Sequence, residues 1–232
     1  MIRNKKVISI IPVRKGSTGI KNKNLICING KSLLERTIIL SKKNFLIDKT
    51  IVSTNCKKMW KIARKHNCTS KDLRPKNLST KYASTIDVIK HEIKKNKLND
   101  CYILLLQVTS PLRTLELTYK FLKSFEKNKN YKSAASATFF DHPHPFKVQI
   151  IKDKKLKSLM NKESMVPRQK LLKVLKLNGM FYIASKKDIM KQKSFFTKST
   201  MPFIVKDEHS LNLDNEFDLV MLKYLKKKIR FR

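Results

Sequence analysis

Glycine is scarce in this chain, whose 232 residues include only four. Two of them, Gly16 and Gly19, lie in one short segment, which makes that segment unusual. Acidic residues are also few, 17 against 53 lysines and arginines. No apolar run is long enough to span a membrane, which excludes a helical membrane protein. The hydrophobic content of 41% is nevertheless sufficient for a buried core, which excludes a disordered chain.

The formal net charge of +36 would ordinarily indicate a protein that binds nucleic acid or an anionic membrane surface. The distribution of the charge argues against both. Lysines are spread from Lys5 to Lys228 without a sustained basic tract or interleaved aromatic residues, and arginine is scarce beside lysine. Because an AT-rich coding sequence produces the same composition, we predict no specific nucleic acid and no membrane among the partners, and nucleic-acid binding is the less favoured alternative. A basic field also attracts polyanionic small substrates.

The four cysteines form no CxxC pair, which argues against both a zinc site and a disulfide framework. They are Cys27, Cys56, Cys68 and Cys101. We predict reduced thiols in a cytoplasmic protein. The amino terminus resembles a signal peptide in Lys5, Lys6 and the apolar run that follows, but this run is short, contains Pro12 and lacks a small-residue cleavage site. Secretion is therefore not predicted.

Strand-like and helix-like segments alternate along the chain, which predicts a single α/β domain over residues 1–232 with a doubly wound sheet. The predicted strands are Lys5–Val13, Thr50–Ser53, Tyr102–Gln107, Ser133–Phe139, Met180–Ala184, Pro202–Val205 and Leu211–Asp214, and the predicted helices are Leu33–Lys43, Lys57–His66, Thr85–Lys95, Glu116–Lys127 and Glu216–Lys226. From Asp141 to Lys176 the periodicity is lost, which indicates an excursion from the main sheet. The predicted cap of the last helix is Asp214 or Asn215.

The segment Ile10–Asn24 predicts a phosphate-binding loop. It begins as an apolar strand of the kind that is buried on both faces of a parallel sheet. The loop then opens at the carboxyl end of that strand, where ligands bind in open α/β sheets. Gly16 and Gly19 allow backbone conformations that direct N–H groups to one anion, and Arg14 and Lys23 are among the basic side chains that add charge. An ordinary basic loop between a strand and a helix is the alternative interpretation.

A second polar loop follows the apolar run Leu104–Leu106 and is predicted to reach the same edge of the sheet. Its polar side chains are Gln107, Thr109, Ser110 and Arg113. Farther along, Asn212 and Asp214 alternate on the last predicted strand and would share one face. Asp214 is interpreted either as a magnesium ligand or as a helix cap. Two such loops at one sheet edge predict a pocket.

Eight short motifs extend over almost the whole chain. They are Ile11–Gly19 with Lys23 and Asn24, Arg74-Pro75 with Leu78–Thr80, Ser84–Asp87, Leu106–Arg113, His144–Lys147, Arg168-Gln169, Asn178–Ile183, and Leu213-Asp214 with Glu216. In this order they resemble the acylneuraminate cytidylyltransferase family, the CMP-sialic acid synthetases, together with relatives that act on legionaminate, pseudaminate and 3-deoxy-manno-octulosonate. Each motif is weak alone, and their common order makes the resemblance specific.

The resemblance implies a Rossmann-like α/β nucleotidyltransferase fold, in which helices flank a mostly parallel central sheet and a dimerisation excursion covers about residues 142–177 of a homodimer. It also implies transfer of CMP from CTP to the anomeric hydroxyl of an acidic nine-carbon α-keto sugar, with release of pyrophosphate and with Mg²⁺ as cofactor. The implied catalytic residues are Arg14, Lys23 and Asp214, and the implied metal ligands are Asp214 and Asn212. The implied nucleotide-binding residues are Arg14, Gly16, Ser17, Lys23, Asn24, Arg74 and Ser84. The implied sugar-binding residues are Gln107, Lys176, Phe195 and Phe196.

Three positions depart from the family pattern. Thr18 stands where the family usually has lysine, Lys81 replaces a common acidic residue, and Asn212 replaces the first of two usual aspartates. An amide oxygen still ligates magnesium but brings no negative charge, so metal binding should be weaker. These departures favour, as an alternative, a nucleotide-binding relative with reduced or lost catalysis. A 3-deoxy-manno-octulosonate cytidylyltransferase is the other alternative within the resemblance.

Overall fold

The computed structural model describes residues 1–16, 19–140, 143–160 and 165–228. The strands are β1 (Lys6–Val13), β2 (Cys27–Ile28), β3 (Lys31–Ser32), β4 (Lys49–Thr54), β5 (Cys101–Leu105), β6 (Ser133–Phe139), β7 (Gln149–Lys152), β8 (Lys155–Ser158), β9 (Leu175–Ser185) and β10 (Thr200–Ile204). The helices are α1 (Leu33–Lys43), α2 (Lys57–Lys65), α3 (Thr85–Lys95), α4 (Leu115–Lys127), α5 (Lys186–Gln192) and α6 (Glu216–Lys228). No helix in these described ranges is long and apolar enough to cross a membrane.

The central sheet has six strands in the order β10, β6, β9, β5, β1, β4. The strand β1 pairs in parallel with both neighbours, so Ile10 lies opposite Ile51 on one side and Leu105 on the other. The strand β10 pairs in parallel with β6, and β9 runs antiparallel between β5 and β6. The prediction of a mostly parallel sheet flanked by helices is confirmed. Because parallel strands end at the same edge, the loops after β1 and β5 lie side by side.

Helices cover both faces of this sheet because successive side chains of a strand point to opposite faces. In β1, Val7 and Ile11 belong to one apolar cluster, whereas Ile8 and Ile10 belong to the other. The first cluster includes side chains of α1, α2, α4 and α6, and the second includes side chains of α3 and α5. Burial on both faces explains why β1 is an almost continuous apolar run rather than an alternating one.

The structure corrects the predicted elements at three places. Leu211–Asp214 is not a strand, although the Leu213 N–H donates to the carbonyl of Thr109 at 2.8 Å. The strand β5 ends at Leu105, two residues before the predicted end, so Gln107 is in a loop. The helix α5 has only seven residues, too few for a clear apolar period, and the sequence pattern does not predict it.

The segment with lost periodicity contains a hairpin outside the central sheet. In it, β7 and β8 form a two-stranded antiparallel sheet of their own. The hairpin exposes Ile151 and Leu156, which are 80% and 75% accessible to solvent. Its two strands are short and rich in lysine, so their sequence has neither the period of a helix nor the apolar run of a buried strand. The sequence pattern is irregular there for this reason.

Candidate active site

A cavity of about 280 Å³ opens at the carboxyl ends of β1 and β5. It lies between the loop after β1, the start of α3, the loop after β5 and the segment before α6. Six of the predicted site residues line it, namely Arg14, Asn24, Arg74, Gln107, Asn212 and Asp214. The structure therefore brings together residues from four separate motifs of the sequence at one sheet edge.

The loop after β1 is held by its own polar groups. The Arg14 guanidinium donates to the carbonyl of Gly16, whose positive φ of 85° suits glycine. The Asn24 amide donates to the carbonyl of Arg14 at 3.2 Å, which closes the loop across ten residues. The Lys15 N–H donates to the side chain of Asn55, which follows β4. These contacts direct Arg14 toward the cavity. Ser17 and Thr18 lie outside the described residues.

Gly19 serves a different purpose from the one that the sequence suggests. Its φ is not positive, and the reason for glycine is close packing. A Cβ atom at this position would collide with the main-chain carbonyl of Asp214. The absence of a side chain at Gly19 therefore lets the loop after β1 contact the segment before α6, at the opposite end of the chain.

Arg74 is a buried cation at the inner wall of the cavity, with 6% of its surface exposed. Its guanidinium donates to the carbonyl of Val13 at 3.0 Å and to the hydroxyl of Ser79 at 3.3 Å. Burial lowers the pKa of Arg74 to about 10, and the carboxylate of Glu92 opposes this decrease. The side chain therefore remains charged at neutral pH. It connects the end of β1 to the turn that leads into α3.

Asp214 lies in a small polar network with Lys23 and Asn212. The Lys23 ammonium donates to Asp214 Oδ1 at 3.0 Å and also to the carbonyl of Leu213. The Asn212 amide donates to Asp214 Oδ2 at 2.7 Å. The Asn212 Oδ1 atom is buried without a partner among the described residues. The carboxylate is thus in contact with one cation and one amide donor, and it still has 65% of its side chain exposed.

The structure also decides between the two predicted caps of α6. The Asp218 N–H donates to Asn215 Oδ1 at 3.1 Å, and the Asp218 carboxylate accepts in return from the main-chain N–H of Asn215 at 2.8 Å. This reciprocal pair is a capping box, which identifies Asn215 as the cap. The carboxylate of Asp214 is therefore not used as a helix cap and lines the cavity instead.

Gln107 is positioned by Arg113, which belongs to the same predicted polar loop, and by Gly179, which the sequence does not assign to the site. The guanidinium of Arg113 donates to the main-chain carbonyl of Gln107. Gly179 lies on β9 with a φ of +72°, and a Cβ atom there would be 2.6 Å from Gln107 Oε1. Arg113 is buried over the ring of Phe181, and burial lowers its pKa to about 9. Both residues lie in motifs that match the family pattern, and this match is the sequence signal that could have indicated their part in the site.

Several predicted site residues lie outside the cavity lining. Ser84 caps α3, while its neighbours Ala83 and Thr85 line the cavity. Lys176 is exposed on β9, with its ammonium 5.3 Å from the ring of Phe140. Phe195 is a buried core side chain whose ring lies 6.0 Å from the Tyr182 ring, and Phe196 is half exposed with its ring 6.1 Å from the same Tyr182 ring. The sugar-binding roles of Lys176, Phe195 and Phe196 stay predictions.

Three threonines also line the cavity; one of them belongs to the polar loop predicted from the sequence, and the other two were not assigned from it. They are Thr80, Thr85 and Thr109. Thr80 and Thr85 lie in matched motifs beside residues that were assigned, and Thr109 follows Gln107 in the second polar loop. Hydroxyl groups add donors and acceptors beside the cations of the cavity.

The model of the cytidylyltransferase family matches residues 8–228, which is nearly the whole chain. The chain belongs to the cytidylyltransferase family. The N-acylneuraminate cytidylyltransferase of Escherichia coli O18:K1:H7 is 29% identical over 213 residues, and the alignment covers 92% of this chain and 50% of that protein. The chain thus spans about half the length of this relative. The pseudaminic acid cytidylyltransferase of Campylobacter jejuni subsp. jejuni serotype O:2 is 26% identical over 226 residues, with 96% and 97% of the two chains covered.

Among solved structures, the fold is similar to that of a CMP:2-keto-3-deoxy-manno-octonic acid synthetase complexed with CTP. The TM-score is 0.68 at 14% identity, with 96% of this chain and 99% of that chain covered. The predicted Rossmann-like nucleotidyltransferase fold is confirmed by this similarity. In a cytidylyltransferase fold of this kind, the cavity at the ends of β1 and β5 lies where open α/β sheets bind ligands.

Proposed function

We propose that this chain transfers CMP from CTP to a nonulosonate, a nine-carbon α-keto sugar acid, and releases pyrophosphate. The observation that carries the proposal is the convergence of Arg14, Arg74 and Asp214 on one cavity at the edge of a cytidylyltransferase sheet. The named activities of the Escherichia coli and Campylobacter jejuni relatives support an acidic sugar of this class as the substrate. The individual sugar acid is a question for the assay below.

In the proposed reaction, the anomeric hydroxyl oxygen of the sugar attacks the α-phosphorus of CTP. The bond from that phosphorus to the bridging oxygen breaks, pyrophosphate leaves with the electron pair, and the hydroxyl proton is released to water. Negative charge increases on the phosphate oxygens, so cations and N–H donors that are already in place lower the barrier. Arg14 and Lys23 are proposed to hold the phosphates, with help from the backbone of Gly16 and Ser17.

The cytidine portion of CTP is proposed to lie against Asn24, Arg74 and the residues around Ser84. Arg74 is charged at neutral pH and has both of its protein contacts on main-chain or hydroxyl oxygens rather than on a carboxylate. Its charge is therefore not neutralised by a direct ion pair. The sugar acid is proposed to contact Gln107, with Lys176, Phe195 and Phe196 enclosing it.

Mg²⁺ is the proposed cofactor, and the residues present suit it. Asp214 offers an exposed carboxylate, and Asn212 Oδ1 is a buried acceptor without a partner among the described residues. Oxygen atoms of both types are ligands that Mg²⁺ accepts. Bound there, the ion would neutralise charge on the phosphates. Phosphate oxygens of CTP and water are proposed as its further ligands.

A homodimer is proposed through the excursion. The hairpin β7–β8 stands apart from the central sheet and exposes Ile151 and Leu156. Leu172, between this hairpin and β9, is also exposed. Ile151 and Leu156 lie opposite each other in the hairpin, and exposed apolar side chains grouped in this way are typical of protein contacts. A second copy of the chain would cover them.

Two other functions are kept as candidates, each for a specific reason. A cytidylyltransferase for 3-deoxy-manno-octulosonate fits the same fold, as the similar solved structure illustrates. A nucleotide-binding protein with little catalysis fits the replacement of an expected aspartate by Asn212. The relatives with aligned sequences favour the nonulosonate, and the same assay separates all three.

The test is pyrophosphate release by the purified protein with CTP, excess Mg²⁺ and a panel of nonulosonates that includes N-acetylneuraminate, legionaminate and pseudaminate. The CMP-sugar product is identified by mass spectrometry. We expect turnover with at least one nonulosonate and slower turnover with 3-deoxy-manno-octulosonate. CTP binding without pyrophosphate release would support the non-catalytic alternative, and absence of CTP binding would refute the proposed function.

The matched pair of variants for this test is Arg14→Ala and Arg64→Ala. Removal of a charged donor to a transferring phosphate costs about 3 kcal/mol, so Arg14→Ala should lower kcat about a hundredfold. Arg64 is an exposed arginine on α2 whose guanidinium lies over Trp60, outside the cavity lining. Its removal should leave kcat within about twofold of the original value because surface charges are screened by salt.

A further inference from the structure

Lys23 is an unusually enclosed lysine, with only 11% of its side chain exposed. Its ammonium is held at two points, the carbonyl of Leu213 and the carboxylate oxygen Oδ1 of Asp214 at 3.0 Å. These contacts span 190 and 191 residues of sequence, so they are products of the fold rather than of local structure. Lys23 therefore occupies the position of a cation beside the carboxylate of Asp214.

Asn212 increases the effect of this contact. The amide donates to Asp214 Oδ2 at 2.7 Å, so each carboxylate oxygen already accepts from a donor of the protein. A second carboxylate at position 212 would leave net negative charge after pairing with Lys23, but an amide leaves none. The charge of Asp214 is thus balanced by Lys23 before any metal arrives. A divalent cation must compete with this ammonium.

We propose that Lys23 substitutes for the metal in the nucleotide-free protein and keeps the affinity for divalent cations low until phosphate groups draw its ammonium away from Asp214. Metal and nucleotide then bind cooperatively, and the coupling is reciprocal because it is a difference in binding free energy. The last step rests on the proposed function, since it assumes that this site takes the phosphates of CTP. The first step concerns the nucleotide-free protein alone.

The experiment measures Mn²⁺ binding to the nucleotide-free protein at about 0.15 M salt, from the electron paramagnetic resonance signal of the free ion. Lys23→Gln keeps a donor for the Leu213 carbonyl and removes the charge. We expect it to tighten Mn²⁺ binding about fivefold, because exposed or half-exposed ion pairs contribute about 1 kcal/mol. Lys21→Gln removes an exposed lysine two residues earlier and should change the Kd by less than about twofold.

A folded Lys23→Gln protein with a Mn²⁺ Kd within about twofold of the original would overturn the proposal, and thermal unfolding reports whether it folds. A tightening of equal size in Lys21→Gln would also overturn it, because it would show only a general effect of net charge. If Lys23→Gln does not fold, the unmodified protein is measured with CMP and with cytidine. CMP should tighten Mn²⁺ binding and cytidine should not, and equal effects of the two would overturn the proposal.

The two proposals fail separately. Mn²⁺ binding to nucleotide-free protein uses neither CTP nor sugar, so its result is independent of turnover. Pyrophosphate release with an unchanged Kd in Lys23→Gln would overturn the role of Lys23 and leave the proposed function intact. Tighter binding in Lys23→Gln without any turnover would leave the role of Lys23 intact and refute only catalysis.

Discussion

Replacing Gly179 with alanine should displace Gln107 from its present position. The backbone at Gly179 has a φ of +72°, and a left-handed conformation costs an alanine about 1 kcal/mol. The new Cβ atom would also be 2.6 Å from Gln107 Oε1, so the amide must move. Relieving this collision in packed surroundings adds a strain of about 1 kcal/mol. The free energy of unfolding should therefore decrease by about 2 kcal/mol, which corresponds to a decrease in Tm of about 4–8 °C for a chain of this size.

The chain offers a matched control in Gly30. Its φ of +75° is nearly the same, but a Cβ atom there meets nothing within 4 Å. Gly30→Ala should therefore cost only the conformational term of about 1 kcal/mol. The difference between the two variants measures the collision with Gln107. Urea unfolding gives both free energies, provided that the slope of each transition is unchanged.

Steady-state kinetics provide the readout that a purely structural role would not change. Since Gln107 is proposed to contact the sugar acid, Gly179→Ala should raise the KM for the sugar about tenfold and leave the KM for CTP unchanged. Gly30→Ala should change neither constant. If Gly179→Ala and Gly30→Ala were equally stable and had equal KM values for the sugar, the inferred constraint on Gln107 would be wrong.

Three further outcomes are expected. Arg74→Lys keeps the charge, but a lysine cannot donate to both Val13 and Ser79. The KM for CTP should therefore rise about tenfold, while the KM for the sugar is unchanged. An equal rise in both KM values would contradict a role of Arg74 in nucleotide binding. Leu156→Asp should convert the proposed dimer to a monomer in light scattering, and a monomeric unmodified protein would contradict the dimer. Burial raises the pKa of Cys101 to about 11, so its thiol stays protonated below that pH. Iodoacetamide should therefore alkylate the exposed Cys27 much faster than the buried Cys101 at about pH 8. Similar alkylation rates of the two cysteines, measured by mass spectrometry, would contradict the burial of Cys101.

The regular elements could be predicted because their signals are local. The predicted bounds of α1 and α3 agree with the structure residue for residue, since each helix begins after a serine that caps it and repeats its apolar residues at helical spacing. The predicted strand Ser133–Phe139 is also confirmed. The prediction of a strand at Leu211–Asp214 is wrong, because an alternating apolar pattern is identical in a strand and in an extended segment that belongs to no sheet. Only the presence or absence of a neighbouring strand decides between these two structures.

The site could be predicted in part, through motifs rather than geometry. Six assigned residues line one cavity, whereas Arg113 and Gly179 act on Gln107 from positions that carry no local signal of that role. The outcome for Asp214 illustrates the difference. The sequence leaves two interpretations of this carboxylate, and the contact between Asn215 and Asp218 removes one of them.

The alternation of strands and helices, and the residue types available at the sheet edge, follow from chain order and local periodicity alone. The roles of three of the four glycines depend instead on contacts that form only in the folded protein. Gly16 turns the loop after β1, Gly19 lets that loop contact Asp214, and Gly179 leaves room for Gln107. The pairing of Lys23 with Asp214 was decided in the same way. The physical reason is close packing: contacts between residues far apart in sequence are set by the order of the strands and by the space that each side chain leaves.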